Sequence, residues 1–97
     1  MASEYYRNLN MVRDFLIDAQ DMCIQNRPAQ ARWELTKALY IIRSYTGNNA
    51  LFVTCCLIKN TIACQWHSIK VRSAVLDSLD GAIAIVEEQM GLRRRAA

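Results

Sequence analysis

The chain has 97 residues, 53% of them hydrophobic and 22% charged, with three glycines and one proline. That length suits one domain rather than two, and that composition excludes a disordered chain and disfavours many short strands, which need more turn formers. The net charge of +3 comes from 12 Lys+Arg against 9 Asp+Glu, and Arg93-Arg94-Arg95 accounts for all of it. A chain whose body is neutral lacks the strong basic bias of domains that depend on nucleic acid.

The first predicted element runs roughly from Ser3 to Gln25. Ser3 is a suitable N-cap, and Glu4 suits the positive end of the helix dipole. Tyr5, Leu9, Val12, Leu16, Ala19 and Cys23 recur at spacings of four and three, which is one face of a helix. Phe15 and Met22 widen that stripe, while Arg7, Asp14, Asp18 and Asp21 lie away from it. Ile17 and Ile24 stand seven apart on its edge.

Pro28 starts a second helix, since a residue with no N–H and a fixed φ belongs in a first turn. Asn26 or Arg27 is the boundary. The helix is expected to run to about Tyr45, with Ala31, Leu35, Ala38, Ile42 and Tyr45 inward and Leu39 beside them. Gly47 can take the left-handed conformation that ends it. Trp33 and Tyr40, seven residues apart, share a face far round from that stripe, bordered by Lys37 and Ile41. Tryptophan, tyrosine and arginine dominate interface hot spots. These four residues are the candidate partner-binding set, set against the plainer alternative of a wide core.

The stretch "ALFVTCCLI" from Ala50 is a continuous apolar run that a buried strand would also explain. Asn48 or Asn49 as an N-cap favours helix, and no second clear strand lies nearby to satisfy its backbone. A helix from about Asn49 to Gln65, buried on most sides, is expected. A last helix spans roughly Ser68 to Met90, with Val71, Val75, Leu79, Ala82, Val86 and Met90 inward, Leu76 and Ile83 flanking, and Gly91 as its stop. Asp80-Gly81 offers a break. No strong breaker lies between Lys59 and Ser68, so the last two helices can also be read as one.

Cys55, Cys56, Cys64 and His67 are ligand types. On one straight helix Cys56 and Cys64 stand about 12 Å apart at 1.5 Å per residue. One zinc ion with Zn–S bonds of about 2.3 Å cannot span that. A Cys64–His67 nucleophile pair has the right spacing but no glycine-rich loop to supply an oxyanion site. Free cysteines that pack as small hydrophobes are the better reading. No phosphate-binding glycine motif and no carboxylate pair is present. The chain is read as non-enzymatic, with no metal and no cofactor.

Basic groups gather at Lys59, His67, Lys70 and Arg72 around Trp66, and at Arg93, Arg94 and Arg95. They suit phosphate contact with an aromatic to stack on a base. A solvated surface and the negative end of a helix dipole explain them better.

The opening "MASEYYRNLN" has no basic region followed by an apolar one, and no run reaches membrane-spanning length. A cytoplasmic protein with reduced thiols is expected. The fold expected is a small all-α bundle of four antiparallel helices, or three if the last two merge, over residues 1–92, with a basic tail at 93–97. In size and texture the chain looks like short helical accessory proteins of phages and mobile elements, inhibitors of host nucleases among them. The function expected is docking on another protein as adaptor or inhibitor, with homo-oligomerisation open. Nucleic-acid binding through the basic residues is the alternative.

Overall fold

A computed structural model describes residues 3–93. Four α-helices follow one another: α1 (Glu4–Ile24), α2 (Pro28–Ile41), α3 (Asn49–Gln65) and α4 (Ile69–Gln89). Each helix packs on its two neighbours around a ring, and the diagonal pairs stay apart. Arg13 bonds Glu87 and Gln20 bonds Asp80, so α1 and α4 run in opposite directions. Trp66, between α3 and α4, donates to Asn26, between α1 and α2, so those two turns share one end. The architecture is an all-α up-and-down bundle.

Local chemistry sets the boundaries. The side chains of Ser3, Asn48 and Ser68 each accept from the backbone N–H three residues on, which satisfies one orphan donor at the start of α1, α3 and α4. Pro28 opens α2 without a side-chain cap. The caps of Asn48 and Ser68 also decide two questions the sequence leaves open. The third segment is a helix, and the third and fourth helices are separate. No break occurs at Asp80-Gly81, which lies inside α4.

α1 and α4 end alike. Arg27 N–H reaches Met22 O, and Asn26 N–H reaches Cys23 O; Leu92 and Gly91 repeat the pattern on Glu87 and Glu88. This motif needs a left-handed residue. Gly91 supplies it at φ 79° and Asn26 at φ 58°. Asparagine tolerates that conformation at a cost glycine avoids, and here its side chain is held by the Trp66 indole at 2.9 Å.

The core is one cluster contributed by all four helices, with Leu9, Leu16, Leu35, Ile42, Leu51, Ile62 and Leu79 its largest fully buried side chains. Three expectations need correction. Tyr5 is half-exposed near the end of α1, and Tyr6 packs on the core instead. Tyr45 is likewise exposed. After Ile41 the chain makes a π-helical turn, Ile42–Thr46, before Gly47 at φ 66°. The wider turn adds a residue before the helix comes round. Ile41 and Ile42 face inward as the residues three and four after Ala38, and the wider turn leaves Tyr45 outward. Third, α3 is apolar on most sides but buried on one: Leu51, Cys55, Ile58 and Ile62 face the core, while Val53 and Leu57 face solvent.

Candidate functional site

The buried residues of α2 are Ala31, Leu35, Ala38 and Ile41. Two of the four are alanines. The helix's largest apolar side chains, Trp33 and Tyr40, point the other way and are 60% and 64% exposed. A helix held only by its own core places its bulk inward. α2 reverses that order. Its small inward residues bring it close to α1, with which it makes the bundle's most extensive helix contact.

An open groove of about 300 Å³ lies between the two helices, lined by Met11 and Phe15 of α1 and by Trp33, Thr36, Lys37, Tyr40 and Ile41 of α2. Ile41 is only 8% exposed. It forms the floor of this groove and not an outward contact, because it follows buried Ala38 by three residues, one turn of α2. Lys37 bridges the walls. Its ammonium lies 4.8 Å from the Phe15 ring centre and 5.8 Å from that of Trp33, and it pairs with Glu34 at 2.9 Å. The cation–π contacts and the ion pair fix the lysine stem across the groove. Tyr45 meets Tyr40 edge-to-face at 6.3 Å and extends the aromatic surface beyond the helix.

Met11, Phe15 and Tyr45 belong to this surface, and sequence reasoning did not place them there. Phe15 and Met11 fall on the side of the α1 stripe that turns toward α2, a signal readable only once the neighbour of that side is known. Tyr45 depended on the π turn.

The basic cluster is less available than its composition suggests. Trp66 is half-buried, with its indole N–H given to Asn26. The Arg72 guanidinium lies 5.9 Å from the Trp66 ring and donates to His67 O at 3.3 Å. His67 and Lys70 are exposed, and Lys59 is half-buried. Arg93 bonds Glu87 at 2.7 Å, opposite Arg13 at 2.9 Å. Burial alone would raise the Glu87 carboxyl, but hydrogen bonds and charge from the two arginines outweigh it and hold it below the usual carboxylate range. Arg94 and Arg95 lie outside the described residues.

The thiols are dispersed. Cys23 and Cys55 are buried, Cys56 is half-buried and Cys64 is exposed. Burial pushes Cys23 up to about 11, and burial together with the neighbouring Cys56 pushes Cys55 up to about 12. Thiols held neutral in this way are poor nucleophiles and poor metal ligands. Among the described residues, no three Cys, His, Asp or Glu side chains come together in a metal-binding group. No helix of the described residues is long and apolar enough to cross a membrane. No protein-family model, curated protein or solved structure matches this chain.

Proposed function

We propose that the chain is a non-enzymatic helical binding module that docks its α1–α2 face on another protein and modulates it, as an adaptor or an inhibitor. The observation that carries this reading is the reversed packing of α2, with alanines toward the core and Trp33 and Tyr40 toward solvent. Large exposed aromatics beside an apolar groove are the side chains that give most binding energy when a partner desolvates them. Lys37 sits already ordered between them, which lowers the entropy lost on docking. Thr36 and the floor residue Ile41 complete the contact set.

The test is affinity capture from the native host with wild type and with the Trp33→Ala/Tyr40→Ala double variant, with identification of what co-purifies. The variant is expected to keep its helicity and lose a protein that the wild type retains. Retention of the same protein by both overturns the reading. The alternative is nucleic-acid binding through Trp66, His67, Lys70, Arg72 and the arginines from Arg93. It predicts co-purifying nucleic acid, affinity that falls steeply with salt, and loss on Lys70→Glu rather than on Trp33→Ala.

A further inference from the structure

A second hollow opens on the other side of Trp33. It is a notch of about 390 Å³ between α2 and α3, lined by Ala29, Arg32, Trp33, Thr36 and Lys59. Trp33 and Thr36 also line the apolar groove between α1 and α2. They form a ridge with an apolar hollow on one flank and two cations on the other. Arg32 is exposed and Lys59 half-buried. Among the described residues, neither enters an ion pair.

No acid answers these cations from the helices that carry them. Of the nine Asp and Glu residues, only Glu34 lies between Arg27 and Gln65, a span that also holds Arg27, Arg32, Lys37, Arg43 and Lys59. Glu34 is taken by Lys37, which lines the α1–α2 groove. Every other acid of the chain stands on α1 or α4. Arg43 lies further along the α2–α3 side, beside Asn48, Asn49 and Phe52. The side of the bundle formed by α2 and α3 is therefore positive although the body of the chain is neutral. An incoming carboxylate relieves the repulsion between Arg32 and Lys59 and adds charge-assisted hydrogen bonds. The planar fork of Arg32 suits a carboxylate in two-point contact. The half-buried stem of Lys59 has less freedom left to lose on binding.

We infer that the docking partner presents an acidic amphipathic segment, with an apolar side chain for the α1–α2 groove and carboxylates that meet Arg32 and Lys59 across the Trp33 ridge. This rests on the reading of Trp33 and Tyr40 as the docking surface and names the chemistry of what docks there. A nucleic-acid strand fits the notch but not its neighbour. It carries a phosphate at every step and no aliphatic side chain for a groove walled by Met11, Phe15 and Tyr40. The far wall of that groove is α1, which exposes Asp14, Asp18 and Asp21 and so repels a phosphate chain laid across it. A protein segment keeps its carboxylates on one side of the ridge and its apolar anchor on the other. Charge of this kind acts most on the encounter, so association slows as salt rises and dissociation changes less.

Selection from a random-peptide display library tests this, with wild type, Arg32→Glu, Lys59→Glu and Trp33→Ala as baits and a pool of random single-stranded oligonucleotides as the competing probe. Circular dichroism of each bait checks its fold, and exposed Arg32 supplies a reversal that leaves the packing of α3 alone. The wild type is expected to enrich peptides that join carboxylates to an aromatic or large aliphatic residue. The best of these, labelled and followed by fluorescence anisotropy, should bind Arg32→Glu and Lys59→Glu about tenfold or more weaker than wild type. Its affinity for wild type should fall as salt is raised. An absence of enriched peptides, peptides with no excess of acids, an affinity indifferent to both reversals, or preferential retention of oligonucleotides overturns the proposal. The baits also separate it from the reading beneath it. Peptides that need Trp33 but ignore Arg32 and Lys59 keep the docking face and lose the acidic partner. Acidic peptides that need Arg32 and Lys59 but ignore Trp33 keep the basic notch and lose the docking reading.

Discussion

The α1–α2 and α3–α4 faces of the bundle both expose apolar side chains beside a groove, yet they carry different information. The α3–α4 groove, about 230 Å³, is lined by Thr54, Leu57, Ile58, Thr61, Ala74, Val75 and Ser78, and Val53 and Leu57 stand exposed beside it. Within α3 the single charge is Lys59, on the side toward α2. Aliphatic and hydroxyl side chains of this kind are common on any surface, and Leu, Val, Ser and Thr are under-represented among hot spots. The α1–α2 face instead combines aromatics with one ordered charge, Lys37, held by Phe15, Trp33 and Glu34. Charge gives a contact its register and its rejection of wrong partners. Apolar exposure alone therefore does not mark a docking site; its coincidence with large aromatics around an ordered charge does.

The contrast is broken most severely through the core. Leu35 lies fully buried between Ala31 and Ala38, on the side of α2 opposite Trp33 and Tyr40. Leu35→Ala should lower stability by about 2–5 kcal/mol, read from urea denaturation. Trp33→Ala, which removes the larger side chain, should change it by no more than about 0.5 kcal/mol. A Trp33→Ala cost equal to that of Leu35→Ala would make the indole part of the core and erase the difference between the faces.

The local half of the structure was legible in the sequence. Ser3, Asn48 and Ser68 act within three residues, Gly47 and Gly91 require only their own φ, and Pro28 marks its own position. Trp33 and Tyr40 could be placed because seven residues return a helix to the same side, away from the alanine stripe. What failed depends on distance. Tyr5 follows the helical repeat of α1, but the repeat says nothing of where neighbouring helices end. The π turn that leaves Tyr45 outward makes no periodic mark over five residues. Glu87 sits among apolar positions of α4, and its burial makes sense only with Arg13, 74 positions earlier in the chain. The hold of Trp66 on Asn26 spans 40 positions.

Glu87 supplies a change that should leave both faces standing while loosening α4 from α1. Its carboxylate bonds Arg13 and Arg93, and its pKa is lowered in the folded chain. A lowered folded value means stability that is present above the ordinary carboxylate range and is lost as pH falls through the folded value. Glu87→Gln should therefore be less stable by about 1–2 kcal/mol at neutral pH and show a flatter loss of stability on acidification. Most of that comes from Arg13, since the Arg93 side chain is 55% exposed and its pairing is screened. Denaturation midpoints between neutral pH and acid measure it. Parallel pH profiles for variant and wild type would remove Glu87 as a source of acid sensitivity. A loss of Trp33-dependent capture would show that the α1–α2 face depends on how α4 is seated.

The smallest effect bears on the α3–α4 side. Gly81 lies exposed inside α4, and a Cβ built there meets nothing within 4 Å. Glycine in a helix interior costs roughly 0.5–1 kcal/mol relative to alanine, chiefly through the freedom of the unfolded chain. Gly81→Ala should therefore stabilise the bundle by about that amount, which for a chain this short raises Tm by a few degrees, about 2–8 °C. If this side of the molecule is free, the added methyl reaches only solvent, and capture does not change. If alanine weakens capture, then a backbone from another chain approaches α4 where glycine alone leaves room. The docking contact would then move from the α1–α2 face to the α3–α4 face, and the contrast between the two would invert.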